Sequence, residues 1–258
     1  MQLQQARLDQ DLLLNYSSTD TLLGAEVARY GTYEDFESRL LLAQLQEGDL
    51  AIDVGANIGV YTMRMAKKVG ETGKVYAFEP EPDNFHILQK NVEDNGFNNV
   101  QASNVALSNR KARVDLHLSW DNYGDHRIYD AQYRRKRRTV EVSTDTLDAL
   151  ILGRDEARAL KVIKIDTQGY EPFVLQGAEG IIRRDRPALF LEYWPFGYQR
   201  AGADSSWMME FLGSLYRACY FIDERAKQAV PADQELLDSY FSKPGREEDY
   251  CNLAFLTR

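Results

Sequence analysis

The chain has 258 residues, a formal net charge of -9, 44% hydrophobic and 28% charged residues, enough for one large domain with its own core. That acidic balance argues against generic nucleic-acid binding, which needs a basic face, and no apolar run approaches a membrane span. Two distant cysteines, Cys219 and Cys251, make neither a disulfide framework nor a zinc site, and MQLQQARLDQ lacks the apolar centre of a signal peptide, so a cytoplasmic setting is expected.

Residues 1 to about 45 read as a helical extension, with LLLNYSS and YEDFESRLLLAQL as apolar faces. Residues 46 to 258 read as a single α/β domain. Its run begins with strand LAIDVG, a glycine turn, helix VYTMRMAKKV, strand KVYAFEP, helix DNFHILQKNVEDNG and strand VQASNVAL. RVDLHLS and TVEVSTDTL then alternate apolar with polar residues, which predicts antiparallel strands around an inserted loop at about 117–140. Strand LKVIKID, one helix over EPFVLQGAEGIIRRD, strand PALFLEYW, helix SSWMMEFLGSLYRA and late strands CYFID and CNLAFLTR follow. Strands alternating with helices imply a doubly wound, mostly parallel sheet whose edge a late antiparallel strand pair closes.

The turn in AIDVGANIGVYT sits where such a sheet opens its ligand crevice. Gly55 and Gly59 allow a tight turn there, with Asp53 at the strand end. No lysine follows in the pattern of a triphosphate loop. Asn57 fills the slot where a dinucleotide fingerprint needs its middle glycine, so a pyrophosphate is partly blocked. S-adenosylmethionine has no pyrophosphate, and Asp53 and Asn57 offer polar partners to its amino-acid part. Glu79 ends the next strand, twenty residues past Gly59, where an acid accepts from both ribose hydroxyls. Strand order alone puts Asn104, Val105 and Ala106 near an adenine edge. It also aims Asp166, followed by Gln168, at the reacting end. DTQG lacks the Asn/Asp-Pro-Pro-aromatic pattern of nucleobase amino-methyltransferases, which lowers base methylation in rank.

IDVGANIGVYT, FEPEPDNFHILQKNVEDN, TVEVSTDTLDAL and LKVIKIDTQGYEPFVLQGAEGIIRRDRPALFLE, in that order from about Gly48 to Glu192, resemble the FkbM-type methyltransferases. The resemblance implies a class I S-adenosylmethionine-dependent, Rossmann-like fold and O-methylation of a hydroxyl on a sugar, polyketide or similar small molecule. It makes Asp53, Gly55, Asn57, Gly59, Glu79 and Asp166 cofactor-side residues, and Ala56, Tyr61, Thr62 and Pro80 are counted with them.

Methyl transfer needs a positioned acceptor and is helped by a base. Of the three histidines, His86 falls on a helix and His117 on the polar phase of a strand. His126 lies in the irregular stretch WDNYGDHRIYD, and loops of that kind cap crevices. Trp120, Asn122 and Tyr123 are therefore candidates for the acceptor, with His126 or Asp166 as the base. Glu192 and Tyr193, with Trp194 beside them, form a second candidate wall. Asp166 and Glu192 offer two oxygens but spacing shows no third ligand, so no metal is expected. The block YRRKRR, with five cations from Arg134 to Arg138, reads as a solvated loop or as a dock for an anionic acceptor. The acceptor is expected to be a glycoside, nucleotide-sugar or polyketide alcohol. Alternatives are N-methylation of an amine or amide, a nicotinamide-dependent oxidoreductase, and a cofactor-binding subunit without catalysis.

Overall fold

Buried apolar runs lie side by side at the centre of the sheet, because both of its faces are covered. The computed structural model describes residues 2–120, 122–130, 137–152, 158–233, 235–237 and 249–257. Strands β3 (Leu50–Val54), β4 (Lys74–Phe78) and β5 (Val100–Ser103) are joined by helices α3 (Val60–Val69) and α4 (Pro82–Asp94). They pair in parallel in one direction, while β9 (Leu160–Ile165) and β10 (Ala188–Tyr193) extend the sheet the other way from β3. The winding therefore reverses between β3 and β9, and a crevice opens at their carboxyl ends. The late strands β11 (Ala218–Asp223) and β13 (Cys251–Leu256) pair antiparallel with each other, β13 docks antiparallel on β10, and β12 (Gln228–Pro231) adds an edge. Among the described residues this gives an eight-stranded sheet ordered β12-β11-β13-β10-β9-β3-β4-β5. The expected α/β class and doubly wound sheet are present, and among the described residues no helix is long and apolar enough to cross a membrane.

Alternation along the strands divides the core. Leu50, Ile52 and Val54 join Ile163, Ile165, Leu189 and Leu191 on one face, with α7 (Glu179–Asp185) and α9 (Ser205–Leu215) packed over them. Ala51, Val162, Phe190 and Ala254 lie on the other face under α3. The antiparallel pair expected around the insertion is β7 (Ala112–Leu118) with β8 (Arg138–Asp145), in a small separate sheet with β6 (Ala106–Leu107).

Two expectations are corrected. The first 17 residues are not helical. They form the hairpin β1 (Leu3–Leu8) and β2 (Leu12–Ser17), and the helices of the extension are α1 (Leu23–Tyr30) and α2 (Asp35–Leu42). Tertiary contacts override the local pattern. The β2 backbone donates to Asn95 at the C-cap of α4 and to Asn91 within it, from Leu13 N at 2.8 Å and Asn15 N at 2.6 Å. At the hairpin tip Asp9 takes both arms of the buried Arg64 guanidinium at 2.6 and 2.8 Å. The extension is also no separate layer, since Leu41 and Leu45 belong to the core beneath β3. The second correction concerns EPFVLQGAEGIIRRD, which forms two helices, α6 (Glu171–Gln176) and α7. A Cβ on Gly177 would lie 1.9 Å from the Ser108 carbonyl oxygen. Asp148 then caps α7 from outside by accepting from Gly180 and Ile181 N–H.

The crevice requires Gly55. Its φ is +76°, and a Cβ there would lie 1.9 Å from Asp166 O. Gly202, also left-handed at φ +72°, has nothing within 4 Å of such an atom. Gly202→Ala should cost about 1–2 kcal/mol for the backbone alone, and Gly55→Ala clearly more. Equal losses in chemical denaturation would show that the approach of the two strand ends is not a constraint.

Candidate functional site

At the switch point a cavity of about 400 Å³ is lined by the glycine turn, by the ends of β4 and β9, by the inserted loop and by α1 with the segment leading into α2. Its floor follows from strand pairing. Asp166 N donates to Val54 O at 2.9 Å, and Gly55 and Ala56 N–H both reach Phe78 O. Glu79 is buried and ties the turn to β4, because its carboxyl accepts from Asn57 N at 2.7 Å and from Glu81 N at 2.8 Å. Burial pushes this carboxyl up to about 8. Asp53, pushed up by burial to about 6, accepts from the Thr62 hydroxyl at 2.6 Å.

Of the cofactor-side candidates, Asp53, Gly55, Ala56, Asn57, Tyr61, Glu79, Pro80, Val105, Ala106 and Asp166 line this cavity. Gly59, Thr62 and Asn104 stand behind it. Gly59 lets Leu88 approach, since a Cβ there would lie 2.6 Å from the leucine Cδ1. Asn104 spends its amide on Glu79 O and Pro80 O, at 2.8 and 2.9 Å, and so braces the end of β4 instead of facing a base.

The far end of the cavity is built around a residue that the sequence reading passed over. Lys164 is buried on β9 in register with Asp53, and its Nζ lies 3.1 Å from Asp166 Oδ2 and 4.4 Å above the Tyr61 ring. Burial alone would lower its pKa. Asp166, Glu37, Glu34 and Asp53 together outweigh burial and hold the ammonium above its usual range. The signal was available, because Val162, Lys164 and Asp166 share one phase of a buried strand. Gln168 donates to Asp166 Oδ1 at 2.8 Å and to Glu192 Oε2 at 3.3 Å, and burial pushes the Glu192 carboxyl well up. Glu171 shapes this corner by accepting from Thr167 N at 2.6 Å and Gly169 N at 3.0 Å. Glu34 accepts from the Tyr61 hydroxyl at 3.0 Å. Tyr193 faces away, into the core against Tyr198, while its neighbours Glu192 and Trp194 line the cavity. Strand alternation separates them.

The inserted loop covers the crevice. Asn122, Tyr123 and His126 line it, whereas Trp120 is 55% exposed and outside it. Tyr123 O accepts from Asn84 Nδ2 at 3.0 Å and Asn57 Nδ2 at 3.4 Å, and its hydroxyl meets Thr19 Oγ1 at 2.7 Å. His126 Nδ1 accepts from Ser119 N at 3.0 Å, so a neutral ring carries its proton on Nε2. Burial, aided by Arg137, lowers its pKa to about 4. Arg127 lies over the Trp194 ring at 4.5 Å and pairs with Asp125. In the basic block, Arg134, Arg135 and Lys136 lie outside the described residues. Arg137 is buried against Asp125 and Arg138 opens β8. Among the described residues no group of three His, Cys, Asp or Glu is placed to hold a metal ion.

A family model described as the Methyltransferase FkbM domain matches residues 53–222. The chain is 24% identical over 154 residues to "Methyltransferase 1" of Beauveria bassiana, covering 54% of this chain and 61% of that protein. It is 29% identical over 140 residues to the hexuronic acid methyltransferase AglP of Haloferax volcanii, covering 54% of each. It thus spans little more than half the length of these relatives. Among solved structures, methyltransferase FkbM from Methylobacillus flagellatus superposes with a TM-score of 0.49 at 15% identity, over 82% of this chain and 44% of that one.

The buried acids set a pH dependence of stability. Glu79 and Asp53, like Glu37 and Glu171, keep a proton in the fold that the unfolded chain releases near 4.5 or 3.8. The stability this contributes is complete below those unfolded values and is lost as pH rises through the folded ones. His126 acts in the opposite sense, with stability lost only as pH falls from 6.5 towards about 4. Between pH 6.5 and 8 the carboxyls act alone, so the melting temperature should fall across that window, and Glu79→Gln should flatten part of the fall. A rising melting temperature would contradict the burial of these groups.

Proposed function

The chain belongs to the FkbM methyltransferase family, and from that premise we propose that it transfers a methyl group from S-adenosylmethionine to a hydroxyl of a sugar or comparable small molecule. The observation that carries this reading is the Gly55–Asn57 turn hydrogen-bonded to Glu79, with Asp166 across the reversal of the sheet. The residues fit that cofactor. Gly55 leaves bare backbone at the crevice floor. Asn57 occupies the slot a pyrophosphate would need, and Glu79 offers acceptors to ribose. The cavity, about 400 Å³, is of ligand-binding size. Glu34, Asp166 and Glu192 at the far end suit a positively charged group.

When bound, S-adenosylmethionine supplies a methyl carbon activated by its sulfonium. The protein then holds the acceptor oxygen in line and removes its proton. Asp166 is the base in this scheme, since it lines the cavity with Oδ1 and Oδ2 oriented by Gln168 and Lys164. His126 keeps its proton on Nε2 and orients the acceptor as a donor. Lys164 is paired with Asp166, and burial pushes Glu34 and Glu192 towards the neutral form, so this end holds no spare cation for an anionic reacting group and suits a neutral hydroxyl. The Haloferax volcanii relative, named a hexuronic acid methyltransferase, supports a sugar-type acceptor.

Titration calorimetry should show binding of S-adenosylmethionine and its demethylated product but not of NAD; the reverse would sink the proposal. A screen of glycosides, nucleotide-sugars and polyketide alcohols supplies the acceptor for the kinetic test. Asp166→Asn should then lower turnover by ~10²–10⁴-fold, as loss of a general base does. His126→Ala, which removes only an orienting donor, should cost about tenfold or less. A hundredfold loss in the histidine variant with near-normal turnover in the asparagine variant would move the base to His126.

A further inference from the structure

Asn84 sits on the first turn of α4, 1% exposed, and lines the cavity close after Glu79. Its Nδ2 donates to Tyr123 O at 3.0 Å, while its Oδ1, also buried, has no partner among the described residues. A flipped amide would set this oxygen against the Tyr123 carbonyl, acceptor facing acceptor, so the bond to Tyr123 fixes the orientation. A buried acceptor left unpaired is costly and calls for a donor from elsewhere.

The surroundings narrow the donor. Each Glu79 oxygen already takes one backbone N–H, from Glu81 and from Asn57. The Tyr123 carbonyl is engaged by Asn57 and Asn84. When ionised, each Glu79 oxygen keeps a second lone pair, and the Asn84 oxygen has both of its own, so this corner matches a vicinal diol whose two O–H donors each find an acceptor and favour the ionised form of Glu79. Resting on the proposed cofactor, we infer that Asn84 Oδ1 accepts a hydrogen bond from one of the two ribose hydroxyls of S-adenosylmethionine, the other going to Glu79. Asn84 would thus read the ribose and hold the roof of the site with the same amide.

The test is calorimetric binding of S-adenosylhomocysteine and its 2′-deoxy and 3′-deoxy analogues to the full chain and to Asn84→Ala. The parent should bind S-adenosylhomocysteine, and the variant should bind it about tenfold more weakly. For the analogue that lacks the bonded hydroxyl, parent and variant should agree within about twofold. An equal loss for all three ligands overturns the inference, because Asn84 would then act only through Tyr123. No loss for S-adenosylhomocysteine also overturns it. Failure of the parent itself to bind would instead overturn the cofactor proposal, and that outcome is read without any variant. Should Asn84→Ala not fold, Asn84→Asp keeps an oxygen in place and gives up the donor to Tyr123. It should retain the parent's preference for the hydroxylated ligand, and loss of that preference would refute the role.

Discussion

A buried ammonium organises this molecule. Removing a charge from water costs several kcal/mol unless partners replace the solvent, and Lys164 finds them on three separate parts of the chain. Asp166 follows it just past the end of the same strand, Asp53 faces it in register from β3, and Glu34 and Glu37 act on it electrostatically from the N-terminal extension. The dependence is mutual. Burial pushes Glu37 and Asp53 up towards the neutral form, and Lys164 is the cation that opposes this. Without the lysine the acids would keep only neutral hydrogen-bond partners, Tyr61, Thr62, Asn252 and Gln168, against their mutual repulsion. The extension, which in sequence looks like an appendage, is thereby part of the electrostatics of the sheet. Asn252 of β13 closes the arrangement from the other side by donating to Glu37.

The parallel sheet was legible in sequence because its strands are continuous apolar runs and its turn chemistry is local. LAIDVG, KVYAFEP and LKVIKID each carry their signal within a few residues. The hairpin at the start was not. LLLNYSS has an apolar content compatible with either structure, and what selects β2 is the pair Asn91 and Asn95, more than seventy residues away. The break at Gly177 was hidden for a similar reason. Within its own window a glycine is compatible with a continuing helix, and only the Ser108 backbone makes it obligatory.

The candidate site divides along the same line. Its half around the glycine turn could be read as one cavity wall because Asp53, Gly55, Asn57, Glu79 and Asp166 stand at strand ends, where topology places residues without knowledge of side-chain packing. The far half is assembled from Glu34, Lys164, Glu192, Trp194 and the inserted loop, which no short window contains. His126 shows the limit of positional inference. Its loop does cover the crevice, but one backbone N–H from Ser119 decides which ring nitrogen carries the proton.

Strain points to the same residues. Three non-glycine residues that line the cavity, Glu34, Asn57 and Gln168, have φ of 44°, 50° and 54°. Sparsely populated backbone of this kind costs about 1–3 kcal/mol per residue, and glycine would relieve it. Each of the three instead makes a contact that glycine cannot. Glu34 accepts from Tyr61, Asn57 donates to the roof at Tyr123, and Gln168 donates to Asp166 and Glu192. One of these contacts lies at each boundary of the cavity: the N-terminal extension, the glycine turn and the corner after β9. The conformational cost is thus confined to the residues that join the sheet to what closes over it, while the strands beneath remain regular enough to hold Asp166 and Glu79 in place.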